Sequence, residues 1–173
     1  MRSITITGVL ICLTAIQAIK AEKAPFIDND WNKARAEALK QHKYLFVDAY
    51  TDWCSWCKVM DKQTFPDTAV SAFMQQNFIC LRMEMEHNYG IKLNMKYHVP
   101  GFPTFLIFSP KGKLVYKIVG YQPANTFLEN LQKAVAPVNQ KTYSGVSDKI
   151  ELDFPELYQK AFIEPDKRQL PTT

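Results

Sequence analysis

One short stretch restricts this chain more than any other. Residues 44–50 (Tyr-Leu-Phe-Val-Asp-Ala-Tyr) form an aromatic and β-branched run, the pattern of a buried strand. Thr51-Asp52-Trp53 follows it and leads into Cys54-Ser55-Trp56-Cys57, after which the composition suits a helix to about residue 62. A strand that delivers a Cys-x-x-Cys pair to the first turn of a helix fits a redox pair or half of a metal site.

The flanking segments supply the rest of a layered α/β domain. Asp30 can cap a helix over residues 31–41, with Trp31, Ala34, Ala38 and Leu39 on its apolar face. Phe65-Pro66-Asp67 breaks the helix after the cysteines, and another follows over residues 68–76. Residues 78–83 read as a strand and residues 88–97 as a helix, which the turn-rich Val99-Pro100-Gly101-Phe102-Pro103 stops. Strands over 104–109 and 114–119 flank the turn Pro110-Lys111-Gly112-Lys113 and form a hairpin. A closing helix over 124–135 carries Phe127, Leu128, Leu131 and Val135 on one face. A strand–helix–strand unit followed by a hairpin and a helix gives a central mixed sheet covered on both faces.

The ends differ from this middle. Residues 1–21 read as a secretion signal: Arg2 starts it, residues 4–19 carry no charge, and Ala21 offers a cleavage point, although Ile19 is not the small residue preferred two positions earlier. The apolar stretch is short for a membrane anchor and Lys20 closes it, so cleavage is favoured over retention. Ile11 before Cys12 argues against a lipoprotein. Loss of Arg2 and Lys20 lowers the formal net charge from +4 to +2, and no basic run points to nucleic acid. Residues 22–137 form the main domain and 138–173 an extension. In the extension Phe154, Tyr158 and Phe162 make a helical stripe, read as docking on the main domain in preference to binding a partner, and residues 165–173 read as a disordered tail. The protein is expected in the periplasm or a secreted space, as a monomer that meets a membrane only during export.

Export permits disulfides to persist. Cys12 leaves with the signal; Cys54, Cys57 and Cys80 remain, too few for a disulfide framework. At a helix N-terminus, unpaired backbone N–H groups favour the thiolate of Cys54, and the thiolate is the attacking species. Cys57 lies within one turn and can resolve a mixed disulfide, leaving Cys54–Cys57 oxidised with no other cofactor. Three other readings fare worse. A purely structural bridge would close too short a loop to constrain the unfolded chain much. Zinc needs about four ligands, and His42, His87 and His98 are scattered. Covalent haem needs histidine where Lys58 stands. Trp53 and Trp56 flank the nucleophile and can form an apolar docking surface. Lys58 would lower the cysteine pKa if it folded back. Cys80, within Phe78-Ile79-Cys80-Leu81, reads as an inert buried thiol.

The stretch from Val47 through Trp53-Cys54-Ser55-Trp56-Cys57-Lys58 resembles the active-site segment of the thioredoxin family, and Gly101-Phe102-Pro103-Thr104 resembles its cis-proline loop. The resemblance covers about residues 30–135. Asp61 and Thr64-Phe65-Pro66-Asp67 are similar to the C-terminal thioredoxin-like domain of transmembrane thiol:disulfide interchange reductases. It implies a thioredoxin fold and a protein-disulfide reductase, acting on protein or peptide disulfides and recharged by a thiol donor; the alternatives are a disulfide oxidase or isomerase using the same two cysteines, or a non-catalytic binding module. It makes Cys54 the nucleophile and Cys57 the resolving cysteine. Pro103 would hold a cis bond that exposes the Phe102 backbone to an extended substrate. Asp48 matches the family's buried acid, whose raised pKa would let it relay the Cys57 proton. Asp61 resembles an acid that raises the cysteine pKa. Tryptophan at position 56 departs from the common Gly-Pro pair and leaves the redox potential open.

Overall fold

The computed structural model describes residues 24–141 and Tyr143. The signal, the Phe154–Tyr158–Phe162 stripe and the terminal tail lie outside the described residues.

Five strands form one mixed sheet in the order β1-β3-β2-β4-β5, comprising β1 (Phe26–Asp28), β2 (Tyr44–Tyr50), β3 (Phe78–Glu84), β4 (Thr104–Phe108) and β5 (Leu114–Val119). The first three in space are parallel; β4 and β5 run antiparallel. The helices are α1 (Trp31–Lys40), α2 (Ser55–Val59), α3 (Thr68–Asn77), α4 (Asn88–Tyr97) and α5 (Ala124–Val135). This is the mixed sheet with helices on both faces that the element order predicts.

Alternation along β2 splits the core in two, because successive side chains point to opposite faces. Phe46 joins Met60, Phe65, Met74, Cys80, Phe105 and Phe127 beneath α3 and α5. Leu45, Val47 and Ala49 join Trp31, Ala34, Leu81 and Leu93 beneath α1 and α4. The first face is aromatic at its centre: the Phe46 ring meets those of Phe65, Phe78, Phe105 and Phe127 at 5.5–6.3 Å. Each such pair adds about 0.5–1.5 kcal/mol beyond the area it buries.

Local chemistry explains the boundaries. The Asp30 carboxylate accepts from the Lys33 N–H and starts α1; Asp67 accepts from Ala69 and Val70 and starts α3. Gly112, at φ +82°, makes the β4–β5 turn in a backbone region that other residues avoid. Three expectations need correction. Strand β1 has no sequence signal, since three residues after Pro25 are too few to show a period. Leu39 is 59% exposed and lies off the buried face of α1. The helix after the cysteines does not fade near Lys62; it widens into a π-helical turn over Met60–Thr64.

Residues past the closing helix also pack. The Lys141 N–H donates to the Val115 carbonyl at 3.0 Å, and the Gln140 side chain donates to the Tyr44 hydroxyl at 2.8 Å. The segment thus runs as a strap from α5 to β5.

Candidate active site

Strand β2, central in the sheet, carries the chain to one end of the strands, and Thr51 turns it: its carbonyl accepts the Cys54 N–H at 3.0 Å. Cys54 is the N-cap of α2 in extended geometry. Its Sγ accepts the backbone N–H of Cys57 at 3.1 Å, so one of the orphan donors of the first helical turn points at the sulfur. Cys54 and Cys57 are joined as a disulfide with their Cα atoms 5.3 Å apart.

The sequence predicts a reachable sulfur at position 54. In the disulfide this is not met: Cys54 keeps 3% of its surface and Cys57 2%. In the bridged pair the Cys57 N–H lies 3.1 Å from Cys54 Sγ. The neighbouring side chains take the exposure instead, with Trp53 at 64% and Trp56 at 57%. Lys58 points into solvent.

The second motif meets the first in space. Phe102–Pro103 is a cis peptide bond. The Thr104 hydroxyl donates to the Gly101 carbonyl at 2.6 Å, and the Gly120 N–H donates to the Pro103 carbonyl at 2.8 Å, pinning the loop to the end of β5. Phe102 sets its ring edge-on to Trp53 at 5.9 Å, which joins the two motifs across the site.

A charged cluster joins the sheet to the π-helical turn that follows α2. Asp48 is 1% exposed on β2, in register with Arg82 on β3 and Phe105 on β4. It is therefore a buried residue within the strand and no solvated strand-end charge. Arg82 Nε lies 3.6 Å from Asp48 Oδ2, and its terminal nitrogen donates to Asp61 on the π-helical turn. Asp61 is thus held by a cation rather than solvated on a helix face. Burial works against the charge on Arg82, but the Asp61 and Asp48 carboxylates more than offset it and hold the guanidinium above its ordinary pKa. The guanidinium also lies over the Tyr50 ring at 4.8 Å. Sequence reading missed Arg82. The available signal was its place four residues along from Phe78 in a strand that must pair with β2.

Two further residues at the rim were missed. Glu86 accepts from the indole N–H of Trp53 at 2.9 Å. Its backbone N–H in turn donates to the buried Glu84, which also meets His87 Nδ1 at 2.6 Å. Gly90 lets α4 close over this loop, for a Cβ there would stand 1.7 Å from the Glu84 carbonyl oxygen. On the other side Tyr121 stacks obliquely on Trp56 at 5.2 Å. The next residue, Gln122, is tied down: its carbonyl accepts from Thr64 and its N–H faces Met60 Sδ. No sequence motif marks Glu86 or Tyr121, because both reach the site through loops.

Among the described residues no three His, Cys, Asp or Glu side chains converge to hold a metal ion. No helix among them is long and apolar enough to cross a membrane.

Several known proteins resemble this chain. A family model for the thioredoxin-like domain matches residues 31–135. A thiol:disulfide interchange protein, DsbD, from Pseudoalteromonas atlantica is 32% identical over 103 residues, which are 57% of this chain and 17% of that protein. The chain therefore spans about a sixth of that relative's length. Among solved structures, a thioredoxin from Thermus thermophilus superposes with a TM-score of 0.61 at 24% identity, over 66% of this chain and 89% of that one. The C-terminal domain of DsbD from Neisseria meningitidis, in its reduced form, gives 0.53 at 24% identity, over 62% and 99%. These two likenesses concern the fold. With the matched domain, the helix-mouth disulfide and the cis-proline loop together, the chain belongs to the thioredoxin-like family of thiol:disulfide oxidoreductases.

Proposed function

We propose that this protein is an exported protein-disulfide reductase. The observation that carries the reading is the Cys57 N–H aimed at Cys54 Sγ at 3.1 Å within a formed Cys54–Cys57 bridge. When the bridge is reduced, that same donor stabilises a thiolate on Cys54, and a charge-assisted hydrogen bond is the stronger kind.

The cycle balances as follows. The Cys54 thiolate attacks one sulfur of a substrate disulfide. A Cys54–substrate bond forms, the substrate S–S bond breaks, and the departing thiolate takes a proton. Cys57 loses its proton and attacks Cys54 Sγ. The Cys54–Cys57 bond forms and the second substrate thiolate leaves. Two electrons pass to the substrate, and a dithiol donor protein must return them. No cofactor beyond the two cysteines is needed.

Asp48 is the group we assign to receive the Cys57 proton, since it is buried on the same face of β2 as Phe46, whose cluster includes Met60 at the end of α2. Pro103 and Phe102 would present backbone to an extended substrate, and Trp53 and Trp56 would wall its path. Asp61 would act on the cysteines only through the Arg82 cation that holds it. Lys58, being exposed, contributes a screened charge.

Insulin reduction driven by dithiothreitol tests the catalysis: precipitation should accelerate with the wild type and not with Cys54→Ser. Equilibration with glutathione buffers tests the direction. The reading expects a potential well below that of strong oxidants, about −120 mV. A value near theirs would make the protein an oxidase.

A further inference from the structure

We propose that the substrates of this site are protein segments carrying an apolar side chain on one flank of the reactive cysteine and a basic side chain on the other. This deepens the oxidoreductase reading and rests on it.

Two aromatic pairs flank the disulfide, and they differ in chemistry. Trp56 and Tyr121 form an apolar shelf, with Trp56 57% exposed and the Tyr121 loop fixed by Thr64 and Met60. A shelf so anchored loses little conformational freedom when a side chain lands on it. Trp53 and Phe102 form the other wall, but there the indole N–H is bound to Glu86. That hydrogen bond fixes an exposed carboxylate beside the wall. Asp52, also exposed, immediately precedes Trp53 in the chain. Among the described residues no lysine or arginine forms an ion pair with Asp52 or Glu86; the ion pairs of Arg82 are with Asp48 and Asp61. The wall is therefore locally acidic on a chain whose formal net charge is +4. A carboxylate held in place beside the path of an extended segment favours a cation there and disfavours an anion. The apolar shelf carries no such charge and favours an aromatic or aliphatic side chain.

The test uses fluorogenic peptide disulfides that differ only in the residues flanking cysteine: arginine or glutamate on one side, phenylalanine or serine on the other, in both orders. Reduced protein is recycled with dithiothreitol, and kcat/KM is compared within each variant. The expected preference is about threefold for arginine over glutamate and about fivefold for phenylalanine over serine. The charge preference should fade as salt is raised. Glu86→Gln keeps an acceptor for the Trp53 N–H and should weaken the charge preference alone; Glu86→Gln combined with Asp52→Asn should abolish it. Tyr121→Ala should abolish the phenylalanine preference, and Tyr121→Phe should keep it.

Bis(2-hydroxyethyl) disulfide separates the two levels of the argument. If the protein reduces it and all the peptides at rates alike to within about a factor of two, smaller than the effects above, the substrate inference falls and the reductase reading stands. If it reduces neither, the reductase reading falls as well. A charge preference that survives Glu86→Gln combined with Asp52→Asn would overturn the assignment to the acidic wall.

Discussion

Cys57 and Cys80 are both almost fully buried, yet their surroundings give them opposite chemistry. Cys57 sits on the first turn of α2, bridged to a sulfur that already accepts a backbone N–H. Cys80 sits mid-strand on β3, between Phe26 on β1 and Phe46 on β2, with its thiol free. Burial pushes the Cys80 thiol from about 9 up to about 12, nearby Lys43 counters this slightly, and Asp48 adds to it. Low exposure therefore does not by itself decide what a thiol can do. What separates the reactive pair is a donor aimed at sulfur and a partner sulfur one turn away.

The largest effect expected from this contrast is chemical. Cys54→Ser should lower disulfide turnover at least about a thousandfold, as loss of a nucleophile does elsewhere, whereas Cys80→Ala should turn over normally. In the reduced protein at neutral pH, iodoacetamide followed by peptide mapping should mark position 54 and leave position 80 unlabelled until the chain unfolds. Rapid labelling of native Cys80 would break the comparison.

Next in size is the charged layer between the two regions. Arg82 lies two residues along β3 from Cys80 and reaches Asp61 on the turn that follows Cys57. Arg82→Met leaves Asp48 buried beside a lost cation. Urea unfolding should show a loss of about 2–4 kcal/mol, somewhat below the range for fully buried pairs because Arg82 and Asp61 are each partly exposed. A loss under about 0.5 kcal/mol would place the layer among ordinary surface pairs.

The smallest effect is a slope with pH. The folded Cys80 thiol keeps its proton to about 12, while the unfolded thiol releases it near 9. Its contribution is intact below pH 9 and is lost as pH rises from 9 towards 12, at up to about 1.4 kcal/mol per pH unit. Comparing denaturant midpoints of wild type and Cys80→Ala at pH 8 and pH 10 measures it: the wild type should lose roughly 1 kcal/mol more across that interval.

Much of this contrast is legible in the amino-acid order alone, and the reasons are local. The run into Cys54, the Asp30 and Asp67 caps and the Phe102-Pro103 loop are each encoded within a few neighbouring residues. Cys80 reads as buried because its whole neighbourhood is apolar. Arg82, Glu86 and Tyr121 are not legible in this way, because each depends on a register or a loop path set by the whole sheet. In sequence Arg82 is one charge in an apolar strand; only its pairing with Asp48 shows that it closes a cluster. The π-helical turn is likewise a tertiary product, with Thr64 and Met60 both held by the Gln122 segment.

The strap past the closing helix has a practical consequence. A sheet's outermost strand exposes backbone groups that invite another chain to pair. Here the main-chain bond from Lys141 occupies the Val115 carbonyl on that strand, and Gln140 reaches Tyr44. Chain-end design should keep residues through 141. A version cut at 137 would expose that carbonyl and tend towards self-association with its redox chemistry still intact.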